Sequence, residues 1–207
     1  MTTLAREGYL LLIQSEFGPP PALFAAGLAQ GNAVLRRDTE LGPADLAGAA
    51  GVITTTHLDQ IGFQGLSTAT EALLARGGRW FFNGHLMRPL ISGLSTYVPI
   101  MRAKRTDLVL ERLAPHPLFE GIAMRDLEEN KGVAGFYGRG YNPLPPGASA
   151  VTGLGPALLP VDWEWRLPGG GRMFSHAGND LGANGAVNPA QARLAPRILA
   201  WTRGEIG

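Results

Sequence analysis

The chain has 207 residues, 45% of them hydrophobic and 17% charged, with a formal net charge of +1. That is enough apolar material for one well-buried core, and the charge gives no reason to expect nucleic acid or an anionic membrane as partner. There is no cysteine, which excludes disulfides, thiolate zinc sites, cysteine-ligated iron–sulfur clusters and a cysteine nucleophile together.

The polar N-terminus, Met1 to Gly8, does not read as a secretory signal, and no apolar run approaches the ~20 residues needed to cross a bilayer. A soluble, cytoplasmic protein is expected, folded as a single domain over residues 1–207. The first apolar run, Tyr9 to Ile13, reads as a strand covered on both faces, leaving through Gln14, Ser15 and Glu16. Pro19-Pro20-Pro21 precedes a short helix ending near Gly31. Ala33 to Arg36 reads as a second strand, Asp38 to Ala50 as a loop with at most one helical turn, and Gly51 to Thr55 as a third strand. That strand runs out into His57 and Asp59. The spacing of Leu66, Ala69, Leu73 and Leu74 predicts one amphipathic helix over 63–76, stopped by Gly77-Gly78. Arg79 to Phe82 then reads as a buried strand that breaks into Asn83-Gly84-His85.

This alternation predicts parallel βα units with right-handed crossovers. The prolines between Leu86 and Met101 predict a broken helix or an irregular lid. Further strands are expected over 107–113, 132–141, 149–152, 161–167 and 172–176, added mainly as antiparallel neighbours and with room for a small separate β-layer. A closing helix carries Leu194, Ile198 and Trp201, and Pro196 predicts either a kink or a start just before it.

Several motifs occur together in one order: Gly77-Gly78, a strand running to Gly84-His85, His116 to Ile122, Trp163, Gly170 to Phe174, and Gly178-Asn179-Asp180. This set resembles the ThuA-like group of the class I glutamine amidotransferase-like superfamily, over roughly 51–203. The resemblance implies a flavodoxin-like three-layer α/β sandwich with a mainly parallel sheet and a link to carbohydrate metabolism. Two departures stand out. The turn where amidotransferases hold a nucleophilic cysteine here reads Asn83-Gly84-His85, and the late motif, usually Gly-His-Asp in that group, has Asn179 in place of the histidine. Hydrolysis of glutamine by a thiolate is chemically excluded.

In an open parallel sheet ligands sit at the carboxyl ends of the strands. His85 is therefore the candidate base, since an imidazole titrates near pH ~6.5, and its alternative role is to hold the turn through a loop carbonyl. Asn83 and Gly84 are candidate donors to a developing negative charge, or simply a favoured turn pair. His57 and Asp59 can reach the same crevice, although Asp59 equally fits a helix cap. Glu16 has a weaker claim. His176, Asn179 and Asp180 form the densest polar cluster of the second half, without the spacing of a metal motif. Trp163 and Trp165 fit either a sugar face or the core, with the core the commoner fate. Serine hydrolysis at Ser92 or Ser175 is disfavoured because neither lies at a strand-to-helix turn. No cofactor fingerprint is present.

The resulting expectation is an amidotransferase-like protein lacking the cysteine, which binds a small polar metabolite such as a sugar at the carboxyl edge of the sheet and forms a homo-oligomer. The alternative is a non-catalytic structural or oligomerisation module of a carbohydrate-related system.

Overall fold

The computed structural model describes residues 8–130, 132–183, 185 and 188–207. The N-terminal segment 1–7, part of the signal-peptide reading, lies outside them. In chain order the strands are β1 Tyr9–Gln14, β2 Ala33–Arg37, β3 Ala49–Thr54, β4 Arg79–Asn83, β5 Val98–Pro99, β6 Leu110–Arg112, β7 Glu129–Asn130, β8 Val133–Ala134, β9 Gly140–Tyr141, β10 Ala148–Leu154, β11 Leu159–Arg166 and β12 Arg172–His176. The helices are α1 Ala22–Ala29, α2 Pro43–Gly48, α3 Gln60–Gln64, α4 Ser67–Ala75, α5 Arg125–Glu128 and α6 Pro189–Arg203.

Eight strands form one sheet in the order β2-β1-β3-β4-β12-β11-β10-β6. The first five are parallel, and β11, β10 and β6 each run antiparallel to their neighbours. The order of the parallel part, second strand outermost and the chain reversing direction of travel between β1 and β3, is that of a flavodoxin-like sandwich. Alternating side chains feed two cores. Leu10, Leu12, Phe81 and Phe174 pack with α1 and α6, whereas Leu11, Ile13, Trp80, Phe82 and Met173 pack with α2, α3 and α4. Each such buried side chain contributes on the order of 1.5–3 kcal/mol of transfer free energy, so the central strands cannot slip register without exchanging both cores.

The sequence reading is corrected in several places. The stretch read as a loop over 38–50 contains α2, started by Pro43 at its first position and by Asp45, whose carboxylate accepts from the Gly42 amide at 3.0 Å. The single helix expected over 63–76 is two: Asp59 caps α3, which stops at Gly65, and α4 restarts at Ser67. Two glycines inside one turn weaken a helix enough to end it there. Residues 132–141 form only the two-residue strands β8 and β9, paired in small ribbons with β7 and β5, because Gly132 and Gly135 adopt positive φ. The strand expected over 107–113 is cut to β6 by a 3₁₀ turn at Arg105–Leu108. β12 is a parallel strand beside β4, covered on both faces, and not another antiparallel addition. The closing helix begins seven residues before Pro196, at Pro189, with Asn188 accepting from the Ala190 and Gln191 amides.

Candidate functional site

Because β1, β3, β4 and β12 are parallel, their exits lie along one edge of the sheet. That edge carries Glu16, His57, Asp59, Asn83 to His85, and His176 to Asp180. The topology therefore gathers the residues singled out in the sequence, but it does not hydrogen-bond His85, His57 and Asp180 to one another.

Most of these groups are already engaged. Asp59 is exposed and caps α3, accepting from the Ile61 amide at 3.0 Å and the Gly62 amide at 3.2 Å. His57 is exposed and lies 2.9 Å from Glu16 across the β1–β3 crevice. Asn83 is buried, its side-chain oxygen accepting from the Leu181 amide. Asn179 is exposed and donates to the Phe136 carbonyl. Asp180 accepts from both the amide and the hydroxyl of Thr56, at 2.7 and 2.8 Å. Burial pushes its carboxyl above the usual range, against the lowering effect of the Thr56 donors. The space left beside Asn83 and Asp180 is a cavity of about 10 Å³, no larger than one water requires.

The turn after β4 is built to tight tolerances. Gly84 has φ +110, and a Cβ there would lie 2.9 Å from Thr56 Cα, so glycine is required. Its amide donates to the His176 carbonyl and its carbonyl accepts from Asn142. Asn142 also accepts from the Leu86 amide and donates to Ser175 Oγ. On the other side Gln60 donates to the His85 carbonyl at 2.7 Å and accepts from the Met87 and Arg88 amides. The turn is thus clamped between two amide side chains, which fixes the backbone under His85. The imidazole itself is half-buried and stacks on Tyr97, with ring centroids 3.8 Å apart. Burial, reinforced by the nearby His176, lowers its pKa below 6.5, and neither ring nitrogen has a protein hydrogen-bond partner among the described residues.

His176 is fully buried on β12. Its Nδ1 is 2.7 Å from Asp162, whose other oxygen accepts from the Tyr137 hydroxyl at 2.5 Å. With the carboxylate at Nδ1, the neutral ring carries its lone pair on Nε2. Among the described residues that nitrogen has no hydrogen-bond partner, and a Cβ at Gly178 would come within 2.6 Å of it. Burial pushes the Tyr137 phenol well above its ordinary value, with Asp162 adding to the effect. Across the sheet the register aligns Asn83, His176, Asp162, Thr152 and Arg112 in a single row, and Arg112 donates to Thr152 Oγ1 at 2.9 Å.

Sequence reasoning missed Asp162, Tyr137, Asn142 and Gln60. Only Asp162 gave a signal: an acid flanked by Val161 and Trp163 inside an apolar strand must be paired if it is buried. Trp163 and Trp165 both join the core under α2 to α4, Trp163 donating to the Asn142 carbonyl. Ser175 is buried within β12. Among the described residues no three His, Asp or Glu side chains gather to hold a metal ion, and no helix is long and apolar enough to cross a membrane.

No protein-family model matches the chain, and no curated protein matches it either. Among solved structures, the mmIFT52 N-terminal domain is similar with a TM-score of 0.59 at 13% identity, covering 94% of this chain and 97% of that one. The cytoplasmic protein STM3548 from Salmonella typhimurium is similar with a TM-score of 0.59 at 10% identity, covering 93% and 98%. At these identities the likeness is one of fold.

Proposed function

We propose that this chain is an amidotransferase-like, ThuA-like protein without the cysteine nucleophile, which binds a small polar metabolite such as a sugar at the carboxyl edge through His85. The observation that carries the reading is the state of His85. Of the four histidines, His57 is paired with Glu16, His176 with Asp162, and His116 accepts from the Leu118 amide through Nδ1. His85 alone offers both nitrogens, on a turn held by Gln60 and Asn142.

Its lowered pKa keeps the ring neutral at pH 7, with one nitrogen donating and the other accepting. That pairing matches a hydroxyl, which also donates and accepts. The same lone pair can take a proton from a bound hydroxyl, which is the acid/base capacity the site would bring to any reaction. The test is a titration by NMR with a panel of monosaccharides, sugar acids and polyols. Saturable shifts centred on Gly84, His85 and Tyr97, weakened about tenfold in His85→Ala, support the reading. Binding that is unchanged in His85→Ala overturns it.

A second reading, a non-catalytic assembly module, is favoured by a different observation. Phe17, Ile61, Met87 and Met101 are exposed apolar side chains on the segments that follow β1, β3, β4 and β5, and Phe17 is 92% exposed. It predicts a stable homo-oligomer by sedimentation that Phe17→Ser and Met87→Ser dissociate. A monomer at high micromolar concentration counts against it.

A further inference from the structure

A more spacious hollow lies elsewhere, beyond the edge strand β6, where the 3₁₀ turn Pro117–Phe119 packs against α6. Its volume is about 620 Å³, within the roughly 300–1,000 Å³ of small-molecule sites. The walls are mainly apolar, with Pro117, Phe119, Ile122 and Met124 among them, and one cation, Arg112, faces them.

Arg112 is held in an unusual way. Its guanidinium sits 4.0 Å above the centroid of the Phe119 ring, donates to Thr152 Oγ1 at 2.9 Å and lies 3.0 Å from Met124 Sδ. Among the described residues no carboxylate lies within ion-pair distance of it, although Arg36, Arg105, Arg125, Arg166 and Arg172 all have one. A hydroxyl, a thioether and an aromatic face orient a guanidinium without neutralising it. Burial lowers its pKa against the raising effect of Tyr137 and of Asp162, the buried carboxylate beyond Thr152 in the same row, which marks the cost of keeping this cation from water. Another cation nearby, Arg197, is occupied by the carbonyls of Leu118 and Glu120.

We propose that this cavity binds a monocarboxylate with an apolar body, the carboxylate on the Arg112 guanidinium and the body against Phe119, Ile122 and Met124. The planar guanidinium matches a carboxylate, and a single cation with no carboxylate within ion-pair distance calls for a single negative charge. The carboxylate of Glu120 on the cavity wall disfavours a dianion. The site is independent of His85 and of the reading given to the carboxyl edge.

The test is calorimetric titration of the intact chain with octanoate, octanol and octyl phosphate. Octanoate is expected to bind saturably and about tenfold or more tighter than octanol. Arg112→Met should remove that preference while leaving octanol binding in place, and Ala123→Trp, which fills the cavity from its wall, should abolish both. Equal affinity for octanoate and octanol, tightest binding of octyl phosphate, or no saturable octanoate binding overturns the proposal. Should Arg112→Met fail to fold by circular dichroism, Ala123→Trp decides: octanoate binding unchanged in that variant also overturns it.

Discussion

The carboxyl edge and the cavity beyond β6 lie at opposite ends of one polar row, and they are built in opposite ways. At the edge, polar groups are dense and space is scarce: Asn83, Asp180 and Gly84 are engaged by Leu181, Thr56, His176 and Asn142 around about 10 Å³. At the cavity, space is ample and polar groups are few, with Arg112 facing mainly apolar walls. Residue type alone therefore points to the first region, and free volume alone to the second. A functional claim at either place needs a group with capacity to spare, which is the imidazole of His85 in one region and, in the other, the charge of Arg112, which has no carboxylate within ion-pair distance among the described residues.

The largest expected effect comes from the row that joins them. Asp162→Ala leaves the His176 Nδ1 and the Tyr137 hydroxyl without their shared acceptor in the core, and should cost about 3–5 kcal/mol by chemical denaturation. A loss below about 1 kcal/mol would mean that the row does not tie the two regions together. Next is Glu164, behind the cavity wall. Burial alone would raise its carboxyl, but His116 and Arg172 hold it at about 2. Since the folded value is depressed, its contribution is present above the unfolded value of ~4.3 and is lost as pH falls towards 2. Glu164→Gln should destabilise by about 2 kcal/mol at pH 7 and flatten the pH dependence of stability in that acid window.

Two smaller effects distinguish fold from function at the edge. Asp180 is raised by burial, so stability is lost as pH rises from its unfolded to its folded value, and its charged form opposes folding at pH 7. Asp180→Asn keeps an oxygen for both Thr56 donors and should leave stability at pH 7 unchanged or raise it by up to about 1 kcal/mol. A clear loss of stability would make Asp180 a structural residue only. His85→Ala gives up the stacking on Tyr97 and should cost no more than about 1 kcal/mol. A much larger loss would show that the imidazole holds the turn, the alternative role read from the sequence.

The parallel strands β1 to β4 were legible because each is a short apolar run with a polar exit, as in Tyr9 to Gln14 and Arg79 to Asn83, whereas the parallel placement of β12 was not. The glycine-rich stretch 132–141 was not, because aromatic residues there mimic a strand while positive-φ glycines break the ladder. The edge residues could be placed from strand exits alone. Which of them are committed could not, since the partners are remote: Thr56 and Asp180 are 124 positions apart, and Gly84 and Asn142 are 58 apart. The cavity was invisible for the same reason. Arg112 reads as an ordinary strand-end cation until the fold sets Phe119 beneath it and leaves no carboxylate within ion-pair distance among the described residues.

The most direct test of the central claim is an NMR pH titration of the His85 ring, assigned through His85→Gln. The expected result is a pKa below 6.5, from burial and the neighbouring His176, and a ring that is neutral with both nitrogens open at pH 7. A pKa at or above 6.5, or a ring proton protected from solvent exchange by a stable hydrogen bond to the protein, would contradict it.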